Sequence, residues 1–224
     1  MKLIVVGTGS SGNCYLLTNG EETLILEAGM PFLDVKKALD FKVTNIVGLV
    51  CSHSHNDHAG HLREYTKAGI KTFTPWKGED LGKFRTFGGF TVFAFPAVHD
   101  VPCFSFIIIH RDMGRLAFII DTEKVRYNLK DNNFNHILVE ANYDKRMVSA
   151  EESKWKIDHI VRGHMELQTT KQFLEATKTP KLRNVVLIHL SDTNSDNKLF
   201  HDEVSEVVDC PVYVAEKGME IDLK

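Results

Sequence analysis

An α/β fold with one or two mixed sheets and helices outside is predicted by three features of this sequence. Apolar runs of strand length outnumber helical segments, the early runs come as hairpins, and polar residues cluster where the runs end. Leu3–Val6 runs into Gly7-Thr8-Gly9-Ser10-Ser11-Gly12-Asn13. Tyr15–Leu17 and Thr23–Leu26 flank Asn19-Gly20, the dipeptide most typical of a tight hairpin. Pro31–Leu39 fits a helix with proline in its first turn and Phe32, Val35 and Leu39 on one face. Ile46–Val50 is a strand, and a helix over Ala59–Ala68 follows Asp57-His58 directly. Phe90–Phe95 is a strand, and Phe104–Ile109 and Leu116–Ile120 pair around a turn at residues 111–115. Asn142–Ile160 has a weak helical pattern, and Lys171–Thr177 and Asn197–Val208 are later helices. Ile137–Glu140 and Val185–Ile188 are strands, and Val212–Ala215 with Met219–Leu223 reads as a closing hairpin around Glu216–Gly218.

The 224 residues suit a single domain over 1–224, with hydrophobic and charged fractions at globular averages. A net charge of −3 excludes a heavily basic nucleic-acid coat. No apolar run approaches a membrane span and the start is too short for a signal peptide, so a cytoplasmic protein without membrane association is expected. The four cysteines form no Cys-x-x-Cys pair and read as reduced, buried small hydrophobes. Trp76, Trp155 and the Phe84–Phe95 region read as core packing in preference to base stacking.

The chemistry is concentrated in His53-Ser54-His55-Asn56-Asp57-His58, directly after a buried strand. Imidazole and carboxylate suit a borderline transition metal, and so many cannot all be satisfied as core residues. His53 and His55 share one side of an extended turn, while Asp57 and His58 at a helix start reach a second ion. His99, Asp121 and His189 each follow an apolar strand, and a carboxylate between two imidazole-rich half-sites can bridge ions about 3.5–4 Å apart. His-rich donors favour Zn²⁺, and the two carboxylates leave Mn²⁺ open. His61 reads as a solvated helix residue, and His110, His136, His159 and His201 as loop or surface residues without a role.

This donor pattern, His-x-His-x-Asp-His followed by His99, Asp121 and His189, resembles the metallo-β-lactamase superfamily. The resemblance implies a four-layered αβ/βα sandwich with two divalent ions at one edge. One ion would take His53, His55 and His99, the other Asp57, His58 and His189, with Asp121 bridging. Within the superfamily the chain is similar to the YycJ/WalJ group through Gly9–Asn13 with Tyr15, Glu140–Asp144 with Met147, Arg162-Gly163-His164, and His189–Ser191 with Asn194. It departs from that group at Tyr143, where the group has His, and at Met165-Glu166, where the group continues Leu-Ser-Asn.

What the group implies is a phosphodiesterase, in particular a 5′-exonuclease acting on nucleic acid through a metal-bridging hydroxide. Asp57 would help to orient that nucleophile, and His164 would protonate the departing alkoxide. A phosphodiesterase for small cyclic nucleotides or cyclic ribose phosphates is the alternative, ahead of a thioester or lactone hydrolase. A long polyanion normally demands a basic track, whereas the cations here fall in small groups such as Lys124-Arg126 and Lys145-Arg146. A homodimer through an exposed sheet edge or apolar loop stays open.

Overall fold

The computed structural model describes residues 1–78, 82–149 and 161–224. Its first sheet contains β1 (Lys2–Gly7), β2 (Cys14–Thr18), β3 (Thr23–Leu26), β4 (Ile46–Val50), β5 (Thr72–Phe73) and β13 (Glu220–Asp222), ordered β13-β1-β2-β3-β4-β5. The second contains β6 (Arg85–Phe87), β7 (Phe90–Pro96), β8 (Phe104–His110), β9 (Gly114–Ile119), β10 (His136–Glu140), β11 (Asn184–Ile188) and β12 (Val212–Val214), ordered β12-β11-β10-β9-β8-β7-β6.

Strand alternation explains the layering. In β1 and β2, Leu3, Val5 and Leu17 face the second sheet, while Ile4, Val6 and Leu16 face outward. That outer face is covered by Phe32 and Val35 of α1 (Phe32–Ala38) and by Leu62 and Tyr65 of α3 (Leu62–Lys67). In β9, Leu116 and Phe118 point inward, while Ala117 and Ile119 lie under α4 (Leu167–Thr177) and α5 (Asn197–Ser205). The result is the expected helix–sheet–sheet–helix sandwich. Both sheet faces are buried, so central strands read as unbroken apolar runs. Each fully buried large side chain in them contributes about 1.5–3 kcal/mol.

Direction matters most for function. β3 and β4 pair in parallel, as do β9, β10, β11 and β12, and β7 runs the same way through antiparallel β8. The carboxyl ends of β3, β4, β7, β9, β10 and β11 therefore open on one edge, where an α/β fold builds its site.

Several elements differ from the sequence expectation. Val212–Val214 and Glu220–Asp222 are not a hairpin. β12 pairs in parallel with β11, β13 pairs antiparallel with β1, and the turn between them crosses from one sheet to the other. The helix expected over Ala59–Ala68 starts earlier and is broken, with α2 over Asn56–Ala59 and α3 from Leu62. The break arises because the His61 amide donates to the Ala28 carbonyl, outside the helix. Residues 142–149 form no helix, and the rest of the Asn142–Ile160 expectation, with Trp155 and His159, lies outside the described residues. Cys14, Cys51 and Cys103 are buried free thiols, as expected.

His110 and His136 are buried, contrary to the surface reading. His136 Nδ1 lies 2.8 Å from Asn184 Oδ1. His110 joins a staple at the end of the sandwich away from the carboxyl-end edge. Glu22, in the β2–β3 turn, accepts from Gly89 N at 2.7 Å and lies 2.9 Å from His110 Nε2. One carboxylate thus ties the first sheet to two turns of the second. Burial pushes the Glu22 carboxyl up, but the Gly89 N–H and His110 outweigh it and hold it below its ordinary value of 4.5. A depressed carboxyl stabilises the fold above the unfolded value, and that contribution is lost as pH falls through the folded one. Glu22→Gln should therefore cost about 1 kcal/mol near neutrality and progressively less as pH falls below the ordinary value of 4.5. Urea melts across that pH range check this, and a pH-independent difference would rule out the ionic role.

Candidate metal centre

The edge gathers its donors from strand ends that the chain distorts to aim them. Glu27 after β3, Asp121 after β9 and His189 after β11 all have left-handed backbone, at φ 69°, 44° and 57°. Such conformations cost of order 1 kcal/mol or more in non-glycine residues and persist where the surroundings enforce them. Here the His189 amide donates to Thr8 Oγ1 at 3.0 Å, and the Glu27 amide donates to the Val50 carbonyl at 2.8 Å.

The His53–His58 loop is clamped by the turn before β2 and by the segment after β3. Asn13 N donates to Asp57 O at 2.7 Å and Ala28 N to His58 O at 2.6 Å. A Cβ on Gly29 would lie 1.8 Å from Asp57 O, so glycine is required for this close approach.

The sequence-predicted donors meet in two groups sharing Asp121: His53, His55 and His99 with Asp121, and Asp57, His58 and His189 with Asp121. In the first, His55 Nδ1 lies 3.2 Å from His99 Nε2, and Asp121 Oδ2 is 3.4 Å from His53 Nε2 and 3.7 Å from His99 Nε2. In the second, Asp57 Oδ2 is 3.2 Å from both His58 Nε2 and His189 Nε2, and Asp121 Oδ2 is 3.2 Å from His58 Nε2. Four ligands about 2.0–2.1 Å from a tetrahedral zinc would stand about 3.3–3.4 Å apart, so these donors have the mutual spacing of a ligand shell. His53 Nε2 and Asp121 Oδ1 are buried and have no hydrogen-bond partner among the described residues, an expense that a cation would remove.

The outward nitrogens of His53, His99 and His189 meet polar partners, which orients those rings, while His58 Nδ1 has a carboxylate nearby but no hydrogen-bond partner among the described residues. His53 Nδ1 meets Ser52 Oγ at 2.8 Å, and His99 Nδ1 donates to the Gly163 carbonyl at 2.8 Å. His58 Nδ1 faces Glu27 Oε2 at 3.5 Å, and Glu27 also accepts from the Ser52 amide. His189 Nδ1 lies 3.2 Å from Glu140 Oε1. Asp100 stands at the open side, 3.1 Å from His99 Nε2.

Electrostatics follow from this crowding. Burial and then repulsion from His58 push His53 down to about 2, whereas Asp121 opposes. Burial also disfavours charge on His58 and His189, but Asp121 and its neighbours outweigh it, raising His58 well above its ordinary value and His189 to about 10. Burial pushes the Asp57 and Asp121 carboxyls up, yet the histidines hold both well below the usual carboxylate range.

His164 lies beside the two groups. Its Nδ1 donates to Glu140 Oε1 at 2.6 Å, its ring stacks on His189 at 5.2 Å, and it lines a cleft of about 600 Å³. The departures flanking it have structural roles. Met165 is buried, and Glu166 caps α4 by accepting from Gln168 N and Thr169 N. Tyr143 is buried and pairs its backbone with Glu166.

Sequence reasoning missed Glu27, Ser52 and the orienting role of Glu140. A signal for the two glutamates exists: each closes an apolar run and precedes alanine, in Leu24-Ile25-Leu26-Glu27-Ala28 and Ile137-Leu138-Val139-Glu140-Ala141. The Gly163 carbonyl left no sequence signal.

Residues 7–74 match the model of the metallo-beta-lactamase superfamily. The exodeoxyribonuclease YycJ of Bacillus anthracis is 24% identical, over 92% of this chain and 88% of that protein. Among solved structures, the metallo-beta-lactamase fold protein YhfI of Bacillus subtilis aligns with a TM-score of 0.75 at 16% identity, covering 99% of both chains. The short form of human tRNase Z aligns at 0.66 and 16% identity, over 100% of both. The layering, the shared edge and the His-x-His-x-Asp-His segment agree with these matches, and the chain has the metallo-β-lactamase fold.

Proposed function

We propose that this chain is a two-metal hydrolase of phosphodiester bonds, acting on nucleic acid. One observation carries the reading: two donor groups of ligand-shell spacing share the buried carboxylate Asp121. The exodeoxyribonuclease likeness over most of the chain supports nucleic acid as the substrate. Two divalent ions held there would supply a nucleophile at neutral pH and neutralise charge on the attacked phosphoryl group.

The chain's own residues do the rest. Ser52, Gly163, Glu27 and Glu140 keep His53, His99, His58 and His189 turned inward. Asp57 contributes a partly exposed carboxylate at the open side of the second group. His164, held by Glu140 at the head of the cleft, is positioned to give a proton to the departing alkoxide.

Metal-replete protein should contain two divalent ions per chain by elemental analysis. Asp121→Ala should keep the circular dichroism of the fold, lose bound metal and abolish hydrolysis of bis(4-nitrophenyl) phosphate. A wild-type chain saturating at one ion would count against the shared-carboxylate reading. Asp57→Asn should lower kcat far more than it raises KM, because its charge acts on the activated nucleophile and not on the bound ground state. A rise in KM alone would contradict that role. His164→Ala should cost about 10²–10⁴-fold on a dinucleotide and much less on a nitrophenyl ester, whose leaving group needs no proton. Equal losses on both, or loss of metal, would reassign His164.

A further inference from the structure

His164 is one of the residues that line the cleft of about 600 Å³ beside the metal donors. Tyr127, Asn128 and Leu129 form one of its walls and are also a wall of a second groove of about 530 Å³, on the outer face of β7 and β8. The two grooves adjoin along that wall, and His164, which stands beside the metal donors, lines the first.

Its lining is unusual for an acidic chain. In the second groove Phe84 is 62% exposed and Tyr127 46%. These rings are fixed: Phe84 packs on Phe93 at 5.3 Å and Tyr127 meets Phe95 edge-on at 5.6 Å. Arg115 is that groove's only charged lining residue, and its guanidinium donates to the Asn132 carbonyl. In the first cleft, Lys130 and Lys145 have no carboxylate partner among the described residues. The acids there are committed elsewhere, with Glu166 capping α4 and Glu123 paired to Lys124 at 3.1 Å.

We propose that cleft and groove form one trough for single-stranded nucleic acid, with Phe84 and Tyr127 as stacking platforms and Lys130, Lys145 and Arg115 as phosphate contacts. The proposal rests on the phosphodiesterase reading above and deepens it. Exposed aromatic faces beside cations that have no carboxylate partner among the described residues fit a strand whose bases are free to stack, and every base offers a π-face. A duplex presents only edges and phosphates to such rings. His164 in the lining of the first groove would set the strand's reacting end beside the metal donors. Lys124, Lys130, Lys145 and Arg115, apart in sequence, all line these two grooves, so a net charge of −3 is compatible with a polyanionic substrate.

The test uses metal-loaded protein with bis(4-nitrophenyl) phosphate, a thymidine dinucleotide, and an oligothymidylate of about twelve nucleotides. The double variant Phe84→Ala/Tyr127→Ala should keep nitrophenyl ester and dinucleotide hydrolysis within about twofold. It should raise KM for the oligonucleotide about tenfold or more, at nearly unchanged kcat. Lys130→Ala/Lys145→Ala should reduce the slope of log affinity against log salt by about 1.4, measured by fluorescence anisotropy on the same oligonucleotide. An oligonucleotide KM that does not move, an equal rise on the dinucleotide, or a shift in oligomeric state in place of a binding loss would overturn the trough. Wild type that binds the oligonucleotide through Phe84 and Tyr127 but cleaves no phosphodiester would instead overturn the hydrolase reading and leave the trough standing.

Discussion

The rest of this structure is organised around one unfavourable arrangement, the burial of several carboxylates at a single sheet edge. Glu27, Asp121 and Glu140 are essentially inaccessible, and Asp57 joins them from α2. Each buried carboxylate costs several kcal/mol unless it is paired and hydrogen-bonded. The fold supplies partners from every direction: imidazoles from β4, β7 and β11, backbone amides of Ser52, Thr122 and Met165, and the side chain of Asn142 on His189. The parallel strand pairings are what place those partners on a common edge. Left-handed backbone at Glu27, Asp121 and His189 is the local cost of aiming side chains inward where a strand would otherwise continue. The same carboxylates favour positive charge on His58 and His189, raising both above the ordinary imidazole value.

Much of this was legible in the residues. A lone His or Asp after an apolar strand is more often a hydrogen-bonded structural residue, and His99, Asp121 and His189 are legible as donors only jointly with the His53–His58 cluster. An α/β fold with mixed sheets and outer helices is legible in the strand-rich pattern and the placement of polar residues, whereas the four-layered sandwich is what the superfamily resemblance implies. What was not legible has physical reasons. A strand's apolar pattern records that it is buried but not which neighbour it pairs with, so β12 and β13 read as a hairpin although they belong to different sheets. A backbone carbonyl such as that of Gly163 is the same whatever its side chain, so its hold on His99 is invisible in sequence. His110 reads as a loop residue because its partner Glu22 is 88 positions away.

Charge is the second case in which placement decides more than composition. An overall negative balance argues against a coat-like nucleic-acid binder, yet it says nothing about a narrow depression. Counter-ion release depends on the cations that touch phosphate. Carboxylates that are already spent on a helix cap, a sheet staple or the metal edge do not repel a strand as free ones would. Glu166 and Glu22 are of that kind. The electrostatic footprint therefore has to be read after the internal pairings are removed.

That same accounting explains why the chain can depart from its relatives beside His164. Glu140 divides its two oxygens. Oε1 takes the rings of His164 and His189, while Oε2 takes the amides of Thr122 and Met165. Thr122 is the neighbour of Asp121, and Met165 is the neighbour of His164. One carboxylate thus fixes two histidines by their side chains and two adjoining segments by their backbones. What position 165 contributes to this edge is an N–H, which any residue except proline supplies. Its side chain is then free to fill the layer under α4, which Met165 does, and position 166 is free to cap that helix. A change that looks like an erosion of the motif leaves the edge's hydrogen bonding intact, because that part of the motif is carried by the backbone.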